Sequence, residues 1–281
     1  MIAMFIQIVV WLNGLANACG AVLLAPIAVL PGWLSATLVA AVTGLLMLLA
    51  FKYTSNQDAV KRVRNQIKAN VLALSLFRDS VAVGLRSQGR ILIGAGRLLL
   101  LAVVPMLVMF IPMCLLLGQL SVWYQASPLR VGEEAIVTVH LTGIPDGDLP
   151  EVQLAPCSAV ESTIGPVRVP QKQMICWNIR ACEAGYHRLA FEAGGRTFDK
   201  ELAIGNGFMR VSSQRPGWCW TDAVLHPSEP PFAVDSIVQA IDIAYPERRS
   251  WVAGSNSWLL YWFAASMVFS FLMRPLLKVN L

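Results

Sequence analysis

The sequence predicts an α-helical membrane protein with three spans and a cytoplasmic helical hairpin, joined to an extracytoplasmic all-β domain of the immunoglobulin-like sandwich type. Three observations carry that fold class. The chain of 281 residues is 56% hydrophobic and 14% charged, with a mean hydropathy of +0.58, whereas an ordinary soluble domain carries about 25% charge. Residues 32–51 and 98–120 hold no charged side chain over 20 and 23 positions, and 257–273 form a third uncharged run of 17. Each run is long enough to cross a bilayer as a helix. Between 121 and 215 the hydrophobic period changes to two, with Gly, Pro and Asp clusters as punctuation, which is the pattern of short antiparallel strands.

Charge falls in zones. Residues 1–51 hold none, and 52–97 hold nine basic and two acidic residues, a net of +7. Residues 121–256 hold 11 basic and 15 acidic residues, a net of −4, and Arg274 and Lys278 add +2 to the tail. Basic residues beside spans stay inside. This places 52–97 and the tail 274–281 in the cytoplasm and 121–256 outside it. The pI near 9.0 is explained by this orientation and gives no reason to expect a specific nucleic-acid partner.

The N-terminal segment 1–31 is apolar but interrupted by Gln7, Asn13, Gly14, Asn17 and Gly20, followed by Pro26 and Pro31. At 100° per residue the five interruptions share an arc of roughly 140°, so the segment reads as an amphipathic helix at the outer membrane surface. A fourth span or a re-entrant piece is the alternative. No basic stretch precedes it, which argues against a signal peptide, and 16–19 (Ala-Asn-Ala-Cys) is a poor lipoprotein cleavage box. After the first span, Ser55 and Asp58 have the spacing of a capping box. Val60, Val63, Ile67, Val71 and Leu74 then recur every three or four residues, with Lys61, Arg64 and Lys68 on another face. This predicts an amphipathic helix of roughly 20 residues, about 30 Å long. Asp79 and Ser80 are cap candidates after a bend at 78–80. A second helix starts there, passes Arg86 and Arg90, and enters the span at Leu98, despite Gly84, Gly89, Gly94 and Gly96. The second span contains Pro105 and Pro112, and proline frees carbonyls within a helix. Met106, Met109 and Met113 read as packing residues.

In the β-region, 134–141 (EAIVTVHL), 174–181 (MICWNIRA), 186–193 (YHRLAFEA) and 196–204 (RTFDKELAI) read as strands. Pro145-Asp146-Gly147, Gly165-Pro166 and Gly194-Gly195 mark turns between strands, and Trp177 is the natural core aromatic. Residues 216–256 are rich in Pro and Trp and read as an extended return to the membrane. Trp251, Trp258, Tyr261 and Trp262 are expected at headgroup level.

Sites for chemistry are sparse. Cys19 and Cys114 lie in apolar runs. Cys157, Cys176, Cys182 and Cys219 lie outside the cytoplasm, where disulfides persist. Cys176 and Cys182 are too far apart along one straight strand to pair, which leaves a bridge such as Cys157 to Cys176 open. There is no C-x-x-C, and His140, His187 and His226 are isolated, so neither a metal nor a cofactor is expected. No G-x-S-x-G, P-loop, H-E-x-x-H or Rossmann glycine set occurs, and the chain reads as a non-enzyme.

The order of outer amphipathic helix, span, basic cytoplasmic hairpin, proline-bearing span, outer segment and span resembles the YidC/Oxa/Alb insertase superfamily. Its three-span branch, with the archaeal YidC-like proteins and the insertase subunit of the eukaryotic ER membrane protein complex, is the nearest form. The resemblance rests on 52–77 (KYTSNQDAVKRVRNQIKANVLALSLF) leading into 98–118, plus the last span, and the chain also resembles membrane proteins of planctomycete bacteria. It implies a hairpin that receives nascent membrane-protein segments, through Lys61, Arg64, Lys68, Arg86 and Arg90, and a polar groove formed by Arg97, Gln119, Ser266 and Ser270. The partners implied are the lipid bilayer, client segments and the ribosome, and the location implied is the inner (plasma) membrane of a bacterium. The other function class open to the sequence is a membrane-anchored scaffold or binding protein that acts through its β-domain.

Overall fold

A computed structural model of the chain describes residues 2–24, 30, 32–76, 81–142, 149–248 and 257–277. Pro26, Pro31, the 78–80 bend with its Asp79 and Ser80 caps, the 145–147 turn, Trp251 and Lys278 lie outside the described residues. The helices are α1 (Ile2–Leu24), α2 (Gly32–Thr54), α3 (Gln57–Leu76), α4 (Val81–Tyr124), α5 (Trp220–Leu225) and α6 (Ser257–Leu277). The strands are β1 (Glu134–Leu141), β2 (Val152–Leu154), β3 (Val160–Val169), β4 (Met174–Ala181), β5 (Gly185–Ala193), β6 (Arg196–Ile204), β7 (Gln214–Arg215) and β8 (Val238–Ile243). Three helices, α2, α4 and α6, are long and apolar enough to cross a membrane. The chain forms two compact units, Met1–Ala36 with Cys114–Leu260, and Thr37–Met113 with Tyr261–Leu281.

In the first unit the β-region forms two antiparallel sheets around one apolar core. The larger sheet runs β3-β4-β1-β8-β7 and the smaller β2-β5-β6. The strong alternation of buried and more exposed side chains in β1 and β4 buries Val137, Val139, Ile175, Trp177 and Ile179 on one face, as the period of two requires. Trp177 is 2% exposed and its ring lies 5.3 Å from that of Phe191, across the core from β5. Gly194 and Gly195, with φ of +55° and +74°, make the two-residue turn that pairs Ala193 with Arg196, and such primed turns suit glycine.

Three expectations about this region need correction. Residues 216–256 are not simply an extended return path, because they supply α5 and β8, and β8 lies in the larger sheet between β1 and β7. Its sequence, VQAIDI, is too short to stand out as a strand, yet it buries Val238, Ile241 and Ile243 in the common core. Gly165-Pro166 lies inside β3, not between strands, with shifts of register on both sides. An edge strand can carry proline because one row of its amides has no strand partner. The third correction concerns cysteine. All six are free. Cys157 packs against the core, whereas Cys176 alternates with Ile175 and Trp177 and so points to the other face of its sheet.

In the second unit α2 and α6 approach closely. A Cβ on Gly44 would lie 2.5 Å from the Ser266 carbonyl oxygen, so only glycine allows the two backbones to come together there. Tyr261 bonds Thr37 at 2.5 Å, the Trp262 indole N–H donates to Thr43 Oγ1 at 3.1 Å, and Ser270 donates to the Gly44 carbonyl at 2.9 Å. Small residues and interhelical hydrogen bonds are the usual means of joining helices in lipid. The expected hairpin is present as α3 and the first half of α4, with Ile67 and Val63 set against Gly94. The start of α3 differs from the Ser55–Asp58 box. The helix begins at Gln57, and the cap is Asn56, whose Oδ1 accepts from the Ala59 amide at 3.0 Å. Asn56 stands immediately before the helix and reaches the third amide directly, as an N-cap must.

Candidate functional site

The hairpin surface is built from two stripes. On α3, Lys61 and Lys68 are exposed and Arg64 is half-buried. On α4, Arg86, Arg90 and Arg97 are exposed and fall within an arc of about 40° at 100° per residue. Apolar side chains are exposed on the same helices: Val71, Leu72 and Leu76 at the end of α3, and Leu85, Leu92 and Ile93 on α4, where Ile93 adjoins the arginine stripe and Leu85 and Leu92 lie more than about 90° from it. A surface both cationic and apolar can hold an anionic lipid surface or an amphipathic peptide. Further along α4 much of the apolar circumference is bare. Leu99, Leu100, Val104, Leu107, Phe110 and Ile111 are all more than half exposed, while Pro105 is buried on the other side.

The four groove candidates are not one cluster. Arg97 is exposed on α4. Ser270 spends its hydroxyl on the α2 and α6 backbones, and Ser266 donates to the Phe263 carbonyl at 2.9 Å. Gln119 is buried in the other unit, where its amide donates to Asn17 Oδ1 at 2.6 Å.

Gln119 belongs to a polar node that spacing alone did not assemble. Asn17 donates to the Pro227 carbonyl and Asn13 to the Ala223 carbonyl, both at 2.6 Å. Arg210 donates to Asn17 Oδ1 at 3.1 Å and to the Ser228 carbonyl at 3.0 Å. Gly20 makes room, since a Cβ there would lie 2.8 Å from Gln119 Oε1. Asn13, Asn17 and Gly20 of the polar arc of α1 thus serve protein partners, while Gln7 and Gly14 are exposed.

A second buried node lies deeper. Lys200 is 0% exposed on β6, and its ammonium donates to Glu229 Oε1 at 2.5 Å, the Ser212 carbonyl at 2.7 Å and Ser212 Oγ at 3.0 Å. Ser212 donates in turn to Glu229, so Ser228, 2.7 Å from Ser212 Oγ, is the donor of that pair. Glu229 Oε2 accepts from the Glu201 amide at 3.0 Å. Burial pushes the Lys200 ammonium below its ordinary range, and the Glu229 carboxylate opposes that shift. Ser228 also borders a cavity of about 200 Å3 whose wall includes Ser121, Gln125, Ser213, His226 and Glu247. Burial lowers the His226 pKa, against the pull of Asp242 and Asp222. The node ties the segment after β7 to β6. The sequence signal for it was Lys200 at an inward position, in step with Phe198, Leu202 and Ile204.

Among the described residues no group of three His, Cys, Asp or Glu is placed to hold a metal ion. No family model, curated protein or solved structure matches the chain.

Proposed function

We propose that this chain is a multi-pass inner-membrane protein with an insertase-like role, assisting the insertion or folding of membrane-protein segments, and that 52–97 is cytoplasmic and 121–248 is not. The observation that carries the reading is the continuity of α4. One helix presents exposed Arg86, Arg90 and Arg97 on one side, with exposed Ile93 next to them and exposed Leu85 and Leu92 further round, then continues into a largely bare apolar run. Lys61, Arg64 and Lys68 extend the positive surface on α3, at about 1 kcal/mol per basic residue near an anionic surface. A client segment with acidic flanks has in one place a charge to find and an apolar face to follow. The route uses the apolar side of α4, since Gln119, Ser266 and Ser270 are bound to other protein groups.

The test is reconstitution into liposomes with a single-span client bearing a short translocated tail. Wild type inserts it above the level of empty vesicles. A Lys61→Gln, Arg64→Gln, Lys68→Gln variant keeps six basic residues in 52–97, hence its orientation, and shows a salt-sensitive loss. Wild-type vesicles that insert no more client than empty ones, across several clients, remove the reading.

A second reading has its own observation. The five-stranded sheet carries Ile136, Ile164 and Val167 exposed on its outer face, with Ile136 and Ile164 both paired to Asn178. In that reading the two sheets form an immunoglobulin-like module, and the protein is a membrane-anchored scaffold working through it. Pull-down by the wild-type chain that an Ile136→Lys, Ile164→Lys variant loses, with client insertion absent in both, selects it.

A further inference from the structure

The N-terminal helix has two opposite faces, and Asn13 and Asn17 lie on the inner one, while Gln7 is exposed between the two. At 100° per residue, Met4, Ile8, Trp11, Leu15 and Val22 lie within an arc of about 60°, and all five are exposed, Trp11 by 67%. Ile6, Val9, Asn13, Asn17 and Gly20 lie within about 80° on the opposite side, where Asn13 and Asn17 bind the 223–228 segment and Gly20 admits Gln119. The helix packed against α1 is α5, and it too leaves large apolar side chains bare, with Trp220 50% and Leu225 64% exposed. A helix lying on a membrane with its polar arc toward water would show the reverse pattern, with Asn13 and Asn17 wet.

We infer that α1 and α5 together form a lipid-contacting shelf, by which the β-domain's own segment 220–225 rests in the outer leaflet of the bilayer. The inference rests on the reading of 98–120 as a membrane span. Three features select lipid as the occupant. Residues 1–51 contain no charged side chain, so the bare face of α1 has nothing to specify a protein partner electrostatically. Trp11 and Trp220 are the amphipathic residue type enriched at headgroup level. The node is also tied to the place where the uncharged run of α4 ends, since Gln119 bonds Asn17 and a Cβ on Gly118 would lie 2.9 Å from the Pro227 ring. The shelf therefore sits at the level where acyl chains give way to headgroups.

The experiment uses the full chain in liposomes containing a phosphatidylcholine with a photoactivatable diazirine on its acyl chain, followed by peptide mapping. Adducts are expected on 98–113, on the Met4–Ile8–Trp11–Leu15 face, and on Trp220 and Leu225, with none on Val131 or Ile164. A Trp220→Glu, Leu225→Glu variant loses the adducts on α5 and keeps those on 98–113. Label on 98–113 without label on α1 and α5 overturns the shelf and leaves the membrane reading intact. Absence of label from 98–113 overturns the membrane reading, and the shelf with it. A photo-crosslinking amino acid placed at position 11 or 225 that joins two copies, where no lipid adduct forms, also overturns the shelf, because the face is then a protein interface.

Discussion

Removing the carboxylate of Glu229 is expected to be among the most damaging single changes in the β-domain. In Glu229→Ala the Lys200 ammonium stays at a site that is 0% exposed, with Ser212 still able to accept from it but no counter-charge. The Glu201 amide loses its acceptor as well. Breaking a buried pair by deleting one partner costs about 3–5 kcal/mol, and for a domain of about 100–150 residues this lowers Tm by roughly 10–20 °C. Lys200→Met is the mirror case. Glu229 keeps the Glu201 amide and the Ser212 hydroxyl as donors, so the loss is nearer the lower end of that range. In the Lys200→Met, Glu229→Leu double variant no charge is stranded. What remains is the Ser212 carbonyl and the Glu201 amide without partners, at about 1–3 kcal/mol each. The double variant is therefore expected to be less destabilised than the sum of the single ones. The assay is thermal unfolding of the full chain in detergent, followed by near-UV circular dichroism. Additive losses, or a Glu229→Ala cost under about 1 kcal/mol, would refute the argument, since either result means that the pair is wet or uncoupled.

The other predictions test separate parts of the chain. Trp177→Ala empties the core contact with Phe191 and should cost about 3–5 kcal/mol, read in the same melting experiment; a loss below about 1 kcal/mol means that Trp177 is not in the core. Gly44→Val places a side chain against the Ser266 carbonyl and should destabilise the α2–α6 pair by about 1–3 kcal/mol, measured as reduced resistance to denaturing detergent; an unchanged Gly44→Ala variant contradicts the close approach. The His140 pKa is raised, first by its 2.9 Å hydrogen bond to Asp242. That contribution is present below the unfolded imidazole value of about 6.5 and is lost as pH rises through the raised folded value. The Tm gap between wild type and His140→Gln should be largest below the unfolded imidazole value and close as pH rises through the raised folded one; both groups are about a third exposed, so the gap is small, and one that widens with pH contradicts the pairing.

Local periodicity made much of the fold legible. The strands β1, β4 and β6 run over the stretches where alternation placed them, and α3 and the entry of α4 follow the three-and-four spacing of their apolar residues. What was not legible is long-range pairing. VQAIDI became a central strand because β1 and β7 flank it, and six residues carry no periodic signal strong enough to announce that. Gly165-Pro166 looked like a turn because nothing in a sequence separates an edge strand with a bulge from a reversal of the chain. The four groove residues came from the layout that the resemblance implies, which marks positions but not the partners of Gln119, Ser266 and Ser270.

The same logic explains why Asn13 and Asn17 of α1 meet protein. Amphipathicity fixes that two faces differ; it does not say which one meets solvent. In water the polar face is outside, because burying an amide without a partner costs several kcal/mol. In a helix beside lipid the preference inverts, since hydrocarbon offers Asn13 and Asn17 no partner and the carbonyls of Ala223 and Pro227 do. Each amide bond then favours docking of α1 on the 223–228 segment, with the exposed Leu, Ile and Trp side chains on the opposite face. Two asparagines four residues apart in a charge-free helix therefore mark a protein-facing stripe. They predict that Asn13→Leu, Asn17→Leu would loosen α1 from α5 while making the helix more hydrophobic, a combination that hydrogen exchange across 220–228 can detect as faster opening with membrane association unchanged.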